Sequence, residues 1–298
     1  MKLGYPCTNT TLTCSASKTF RLKNYTGEKL SEVINANLSC LREILEFNVE
    51  RDLLFFRISS NTIPFASHQI CQFYWEDHFK NHLESIGCYI KQHDMRISMH
   101  PGQFVLLNSP KQSVIENSIR ELEWHCRFLD ALALDATAKV QIHLGGVYGD
   151  KKRSVEKFVS NFDHLSKFIK KRLVIENDDY SYSLQDCLAA SEKTEIPIVF
   201  DTLHHTCLNN GESILEALEL AQETWKEKDG ILMVDYSSQN PKGRKGAHAE
   251  TIDLTHFDTF IKTTQKCAYD LMLEIKDKEK SAIKAINMVR SIYQQSMQ

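Results

Sequence analysis

The sequence predicts an α/β protein of the (β/α)8 TIM-barrel type, and three observations carry that prediction. Short apolar, β-rich segments alternate with longer helical patterns from one end of the chain to the other. Eight such units divide the chain at about 37 residues apiece, the size of a strand, a helix and two loops. The first strand is followed by YPCTNTTLTC rather than by the glycine-rich turn of a doubly wound sheet. No internal repeat, low-complexity tract or Pro/Gly linker interrupts the series, so residues 1–298 read as one barrel domain.

The elements follow in order. Lys2–Cys7 forms the first strand. Val33, Ile34, Leu38, Leu41, Ile44 and Leu45 then recur at helical spacing, with Ser31-Glu32 where that helix begins. Leu53–Ser59, Arg96–His100 and Lys139–Leu144 are strands two to four. Val155, Phe158, Val159, Phe162, Leu165, Phe168 and Ile169 place one apolar stripe on a single helix after the fourth. Leu173–Asn177 and Ile198–Thr202 are strands five and six, and Glu212-Ser213 opens the next helix. Ile231–Tyr236 and Asp270–Ile275 complete the eight.

Composition narrows the function classes. With 42% apolar and 25% charged residues the chain is not a disordered one. Its longest apolar runs, such as Ile231–Val234, fall far short of a membrane span, and MKLGYPCTNT lacks a signal-peptide apolar region. Nine cysteines, an odd number without a Cys-x-x-Cys pair, predict reduced, mostly buried thiols and a cytoplasmic protein. A net charge of −3 excludes a globally basic nucleic-acid coat but permits a locally basic groove.

A parallel barrel gathers its chemistry at the carboxyl ends of its strands. Here those ends carry metal-ligand residue types: His100 on strand three, His143 on four, Glu176 on five, Asp201 on six with His204 and His205 just beyond, Asp235 on seven and Glu274 on eight. His68 lies in the loop after strand two and His248 in the loop after strand seven. One histidine at a strand end is ordinarily a hydrogen-bonded structural residue. Four carboxylates converging on one mouth, however, repel one another, and divalent cations are the usual remedy. Imidazole mixed with carboxylate, without thiolate, suits Zn²⁺, Mn²⁺ or Fe²⁺. So many candidates predict two or three ions bridged by carboxylates, the arrangement suited to phosphoester hydrolysis. His125, His164, His78, His82 and His93 fall in or beside helices and read as structural or solvated.

Basic residues favour the same rim. Lys151, Lys152 and Arg153 follow strand four, Lys242, Arg244 and Lys245 follow strand seven, and Lys276, Lys278 and Lys280 follow strand eight. Each run alone is an ordinary solvated loop; three on one face predict a phosphate-binding rim. Tyr5, Phe104 and Tyr148 lie on or just beyond strand ends, where an aromatic ring can stack on bases or wedge between them, with Gln103 beside Phe104.

Taken in order, GYPCTN, IPFASH, MHPGQF, HLGGVYG, IENDD, FDTLHH, SSQNPKGRKGAHAE and EIKDKEK resemble the successive signatures of the UV-damage endonuclease family over nearly the whole chain. That resemblance implies a TIM barrel similar to endonuclease IV that nicks DNA immediately 5′ to a UV photoproduct, leaving a 3′-hydroxyl and a 5′-phosphate. It implies two or three divalent ions, manganese first, with zinc, magnesium or cobalt as alternatives. His68, His100, His143, Glu176, Asp201, His204, His248 and Glu274 become metal-site residues. Tyr5, Asn9, Gln103 and Phe104 become lesion-site residues, Phe104 standing where family members often have Tyr. Some members also have Lys-x-His on strand seven, the Lys carboxylated; here Met233 and Asp235 take those places, and Asp235 is expected to bind metal through oxygen.

The expected reaction is metal-assisted hydrolysis of duplex DNA beside a lesion, with Glu176, Asp201, Glu274 and His143 as the catalytic set. The expected partner is UV-damaged duplex DNA; no membrane and no obligate protein partner are expected, and the chain is expected to act as a monomer, nucleoid-associated when on DNA. An abasic-site endonuclease on the same barrel is the nearest rival reading, and a metal-dependent sugar isomerase a remoter one.

Overall fold

The computed structural model describes residues 1–296. Eight parallel strands close into a barrel in sequence order: β1 Leu3–Pro6, β2 Phe55–Ile58, β3 Arg96–Met99, β4 Lys139–His143, β5 Leu173–Glu176, β6 Ile198–Asp201, β7 Leu232–Tyr236 and β8 Tyr269–Leu273. β1 pairs with β8 to seal it. Every expected strand is present, trimmed or shifted by one or two residues. The long helices outside it are α1 Gly27–Glu50, α2 Lys80–Gln92, α3 Gln112–Ala131, α4 Lys151–Asp163, α5 Leu184–Thr194, α6 Ile214–Glu223, α7 Leu254–Thr264 and α8 Glu279–Ser296. Among the described residues no helix is long and apolar enough to cross a membrane.

Two helix expectations need correction. α1 begins at Gly27, capped by the Thr26 side chain, so Ser31-Glu32 lies inside it. The stripe from Val155 to Ile169 is broken: α4 stops at Asp163, and Ser166 caps a separate short helix, Lys167–Lys170. The apolar side chains Val155, Phe158, Phe162, Leu165 and Ile169 stay buried across the break, because the stripe records burial and not helix continuity. Ser213 does cap α6, in a capping box with Glu216.

The cysteines depart further from expectation. Cys14, in the loop after β1, is disulfide-bonded to Cys40 on α1, 26 residues away. The pairing follows from that loop folding back over α1, a proximity that cysteine spacing does not encode. Seven cysteines stay free.

Alternation along each strand sorts side chains between the helix layer and the barrel interior. Tyr5 and Phe56 face outward, ring edge to ring face at 5.4 Å, and Tyr236 faces α7, its hydroxyl 2.6 Å from His256. The inward set carries many polar residues among apolar ones. At the base, Arg96 reaches Asp270 at 3.0 Å and Lys139 reaches Asp229 at 2.6 Å, all four buried. Above them lie Arg57, Gln141 and Asp235, and above those the residues of the mouth.

His125 on α3 is wholly buried, its Nδ1–H donating to the Glu121 carbonyl at 2.7 Å, and burial pulls its pKa down to about 3. The unfolded chain therefore takes up this proton near pH 6.5 and the folded one does not until about pH 3. The resulting stability is complete above pH 6.5 and is lost as pH falls toward 3, by up to about 1.4 kcal/mol per pH unit. Urea denaturation of the wild type and His125→Gln between pH 4.5 and 7 should show this slope in the wild type and a shallower one in the variant. Equal slopes would remove His125 as the source.

Candidate metal centre

Glu176 ends β5 with 1% of its surface exposed, and three imidazoles surround it. His100 Nε2 lies 3.2 Å from Oε2, His143 Nε2 3.6 Å from Oε2, and His204 Nδ1 3.1 Å from Oε1. Two groups of possible ligands result, both containing Glu176: one with His100 and His143, the other with Asp201 and His204. β4 and β5 pair with His143 opposite Glu176, so neighbouring strands deliver the two side chains at one level. Asp201 is the N-cap of the short helix Thr202–Cys207, accepting the His204 backbone N–H at 2.7 Å, which fixes the spacing of that pair.

The protonation pattern favours cations. His100 turns Nδ1 to the Pro101 carbonyl at 2.9 Å, and His248 turns Nδ1 to the Glu274 carbonyl at 2.6 Å. Because a carbonyl only accepts, each Nδ1 carries the proton and each Nε2 presents a lone pair. In His100 that nitrogen faces a carboxylate oxygen. Burial works to lower the His100 pKa, yet Glu176 raises it overall, so the position between the two atoms calls for a proton or a metal ion. Asp201 Oδ2 is buried with no hydrogen-bond partner, and His143 turns Nε2 toward Glu176. A buried oxygen without a partner is costly when uncompensated, and a divalent ion satisfies it. The residues present therefore fit a metal centre.

The charges agree. Burial works to raise the Glu176 pKa, yet His143, His100 and His204 outweigh it and hold the carboxyl well below its usual range. Burial pushes Asp201 well above that range; His204 pulls it back, while Glu176, Glu274 and Asp235 add to the rise. Burial alone would lower the His204 pKa, but Asp201 and Glu176 bring it to about 12. A cluster so rich in negative charge holds protons where it lacks ions.

Other predicted ligands lie elsewhere. Asp235 does not offer a free oxygen: Arg57 Nη2 lies 2.8 Å from both of its carboxylate oxygens, and Gln141 Nε2 donates to Oδ2 at 2.6 Å. It is thus part of a buried ionic layer beneath the cluster, which corrects its expected role as a ligand. The same Arg57 bonds Glu274 through Nη1, and Gln141 also donates to Glu176 Oε2 at 2.6 Å. Glu274 and His248 line the mouth beside the two ligand groups. His68 is exposed and sits outside the cluster, in a side groove with Phe104.

The lesion-site candidates divide likewise. Tyr5 is fully buried, its hydroxyl donating to Asn48 of α1 at 2.7 Å, so it cannot meet a base in this structure. Asn9 is buried too, donating to Tyr5 and accepting the backbone N–H groups of Thr11 and Leu12. Both hold the first loop in shape. Gln103 is exposed and lines a central cavity of about 600 Å³ with His100, His143, His204, His248 and Glu274. Phe104 and Tyr148 are 64% and 47% exposed.

Of the basic residues, Arg244, Lys276 and Lys278 line the cavity. Lys151, Lys152 and Arg153 form the exposed first turn of α4 rather than a loop, with Lys151 paired to Asp186 at 2.9 Å. Lys276 is paired to Glu250, Lys245 donates to the Cys207 carbonyl at 2.8 Å, and Lys242 is exposed. Sequence reasoning missed Arg57, Gln141 and the Asp178–Tyr180 segment. The signal for Gln141 was alternation: in KVQIH the polar residues fall at every second position, the interior of a barrel strand, and in FFRI Arg57 is the one polar residue of the strand.

Comparison with known proteins bears on this site. The family model described as UV-endonuclease UvdE matches residues 1–296. A UV DNA damage endonuclease of Clostridium perfringens (strain 13 / Type A) is 43% identical over 294 residues, 98% of this chain and 71% of the relative. One from Bacillus cereus (strain Q1) is 33% identical over 288 residues, 94% of this chain and 91% of the relative. The crystal structure of SacUVDE superposes with a TM-score of 0.95 at 46% identity, covering 98% of this chain and 99% of that one.

Proposed function

The chain belongs to the UV-endonuclease UvdE family, and from that premise we propose that it nicks duplex DNA immediately 5′ to UV photoproducts, with divalent ions held at Glu176. The observation that carries the reading is one buried carboxylate shared by two groups of possible ligands, whose histidines His100, His143 and His204 line a cavity of about 600 Å³. His100, His143, Glu176, Asp201 and His204 would hold the ions, with His248 and Glu274 beside them. Ions bound there supply Lewis acidity to the scissile phosphodiester and to the attacking water. Manganese as the working ion and action as a monomer in the cytoplasm go with this proposal.

The chain's own residues do the rest. The Nδ1–H bonds of His100 and His248 fix both rings with Nε2 toward the cavity. Arg57 holds Glu274 and Asp235 from below, so the carboxylates do not drift with ion loss. Lys276, Lys278 and Arg244 place positive charge at the rim, where it attracts the phosphate backbone. Lys278 has a left-handed backbone (φ 54°), a strained conformation of the kind that clusters at functional sites. Gln103 reaches the mouth, where a damaged and weakly stacked nucleotide is cheaper to displace than an intact one.

Irradiated and unirradiated plasmid incubated with the protein, with and without chelator and added Mn²⁺, tests the proposal. Nicks should map immediately 5′ to photoproducts, vanish with chelator, return with Mn²⁺ and be absent from unirradiated plasmid. Nicking of abasic duplex in preference to irradiated duplex, or none at photoproducts, would overturn it.

A further inference from the structure

One aromatic ring on the cavity's rim has no part in the reaction as derived above. Tyr180, in the loop after β5, is 87% exposed and lines the cavity. Its backbone is nonetheless pinned. Asp178 Oδ1 accepts the N–H groups of Tyr180 at 2.9 Å, of Ser181, and of Tyr182 at 3.0 Å, while Asp178 N–H donates to the Tyr182 carbonyl at 2.9 Å. Tyr182 is fully buried, its hydroxyl donating to the Gly146 carbonyl at 2.8 Å. Anchoring Tyr182 inside throws Tyr180 outward on a turn whose entropy is already spent, the condition under which an exposed ring binds a partner at least further cost.

Its surroundings define the partner. Gln103 stands on the loop after β3, and the loop after β4 runs between the two. There Gly145 and Gly146 line the same cavity, their lack of a side chain letting Asn108 and Tyr148 pack against the backbone: a Cβ would come within 2.3 Å of Asn108 Oδ1 at the first and 2.7 Å of the Tyr148 ring at the second. Gln103, Tyr180 and the Gly145–Gly146 backbone thus line one slot at the mouth. Asp178 and Asp179 flank the ring, and Asp179 lies 3.6 Å from Arg244. Two acidic neighbours make this loop a poor seat for a phosphate, but they leave a ring face open to an uncharged π surface.

We propose that Tyr180 is a specificity-determining residue whose ring stacks on a nucleobase unstacked at the lesion, in the slot it lines with Gln103. The inference rests on the endonuclease reading above. An intact duplex keeps its bases stacked and offers none to the ring, whereas a photoproduct lowers the cost of exposing one. The ring therefore adds to binding of damaged DNA only.

The test uses the metal-loaded enzyme with a duplex carrying one photoproduct, and the same intact duplex as a competitor. Base–aromatic stacking of the usual strength predicts that Tyr180→Ala raises KM about 5- to 100-fold with little change in kcat. The inhibition constant of the intact duplex should stay within about twofold, and Tyr180→Phe should behave as wild type, since stacking needs the ring and not the hydroxyl. An unchanged KM in Tyr180→Ala overturns the proposal, as does a parallel loss on intact DNA or a Phe variant as impaired as Ala. If the wild type nicks while Tyr180→Ala matches it, the ring's role fails and the endonuclease reading stands. If the wild type nicks no photoproduct, both fail.

Discussion

Glu176→Gln should lower nicking of irradiated DNA by a factor of at least about 10³, the scale on which removing one electrostatic contributor to a hydrolytic site is felt. Both possible ligand groups contain Glu176, so one neutral amide weakens both at once. The substitution keeps the shape of the side chain and removes only its charge. His100, His143 and His204 then face an amide that no longer balances them. Binding of damaged duplex should stay within about threefold, because a residue with 1% exposure does not touch DNA. Bound metal, measured by elemental analysis, should fall with activity. Activity within tenfold of wild type would remove Glu176 from the centre of the mechanism.

Arg57→Met should destabilise the fold by about 3–5 kcal/mol, the usual result of stripping one partner from a buried ion pair. The Arg57 side chain is 3% exposed and Asp235 0%, and the same guanidinium serves Glu274 and Gln141. Methionine matches the stem but leaves the Asp235 carboxylate without its cation. Burial already lifts the Asp235 pKa to about 7 against the pull of Arg57, so without the arginine it binds its proton more tightly still. For an acid whose folded pKa is raised, stability is greatest at low pH and falls as the group must ionise. The loss in Arg57→Met should therefore be largest above pH 7 and smaller at pH 5, read from urea midpoints at both. Arg57→Lys should recover only part, since an ammonium cannot match the planar fork. Arg57→Met combined with Asp235→Leu should be more stable than Arg57→Met alone, because it removes the stranded charge as well. A single-variant loss under 1 kcal/mol would refute the role given to this layer.

Much of the centre was legible because a parallel barrel converts strand ends into neighbours. His100, His143, Glu176 and Asp201 each close a strand or stand one residue beyond it, and the eight strand ends share one face by construction. His204 was legible by its spacing from Asp201. Tyr5 was misjudged by the parity of a strand: it stands near the right end of β1 but on the helix-facing side, and Asn48 holds it there. His68 and Asn9 lie in loops whose paths no periodicity fixes.

The sequence by itself determined the barrel, the order of its strands and the residue types at its mouth, since these follow from period and position along the chain. Only the tertiary structure decided what each polar group meets. Arg57 on β2 and Asp235 on β7 are 178 residues apart and not on paired strands, yet they lie 2.8 Å apart across the interior. Cys14 and Cys40 pair through the path of one loop. The physical reason is the same in both cases: alternation tells which way a side chain points, but its partner is set by closure of the whole sheet and by loop packing, which no local pattern records.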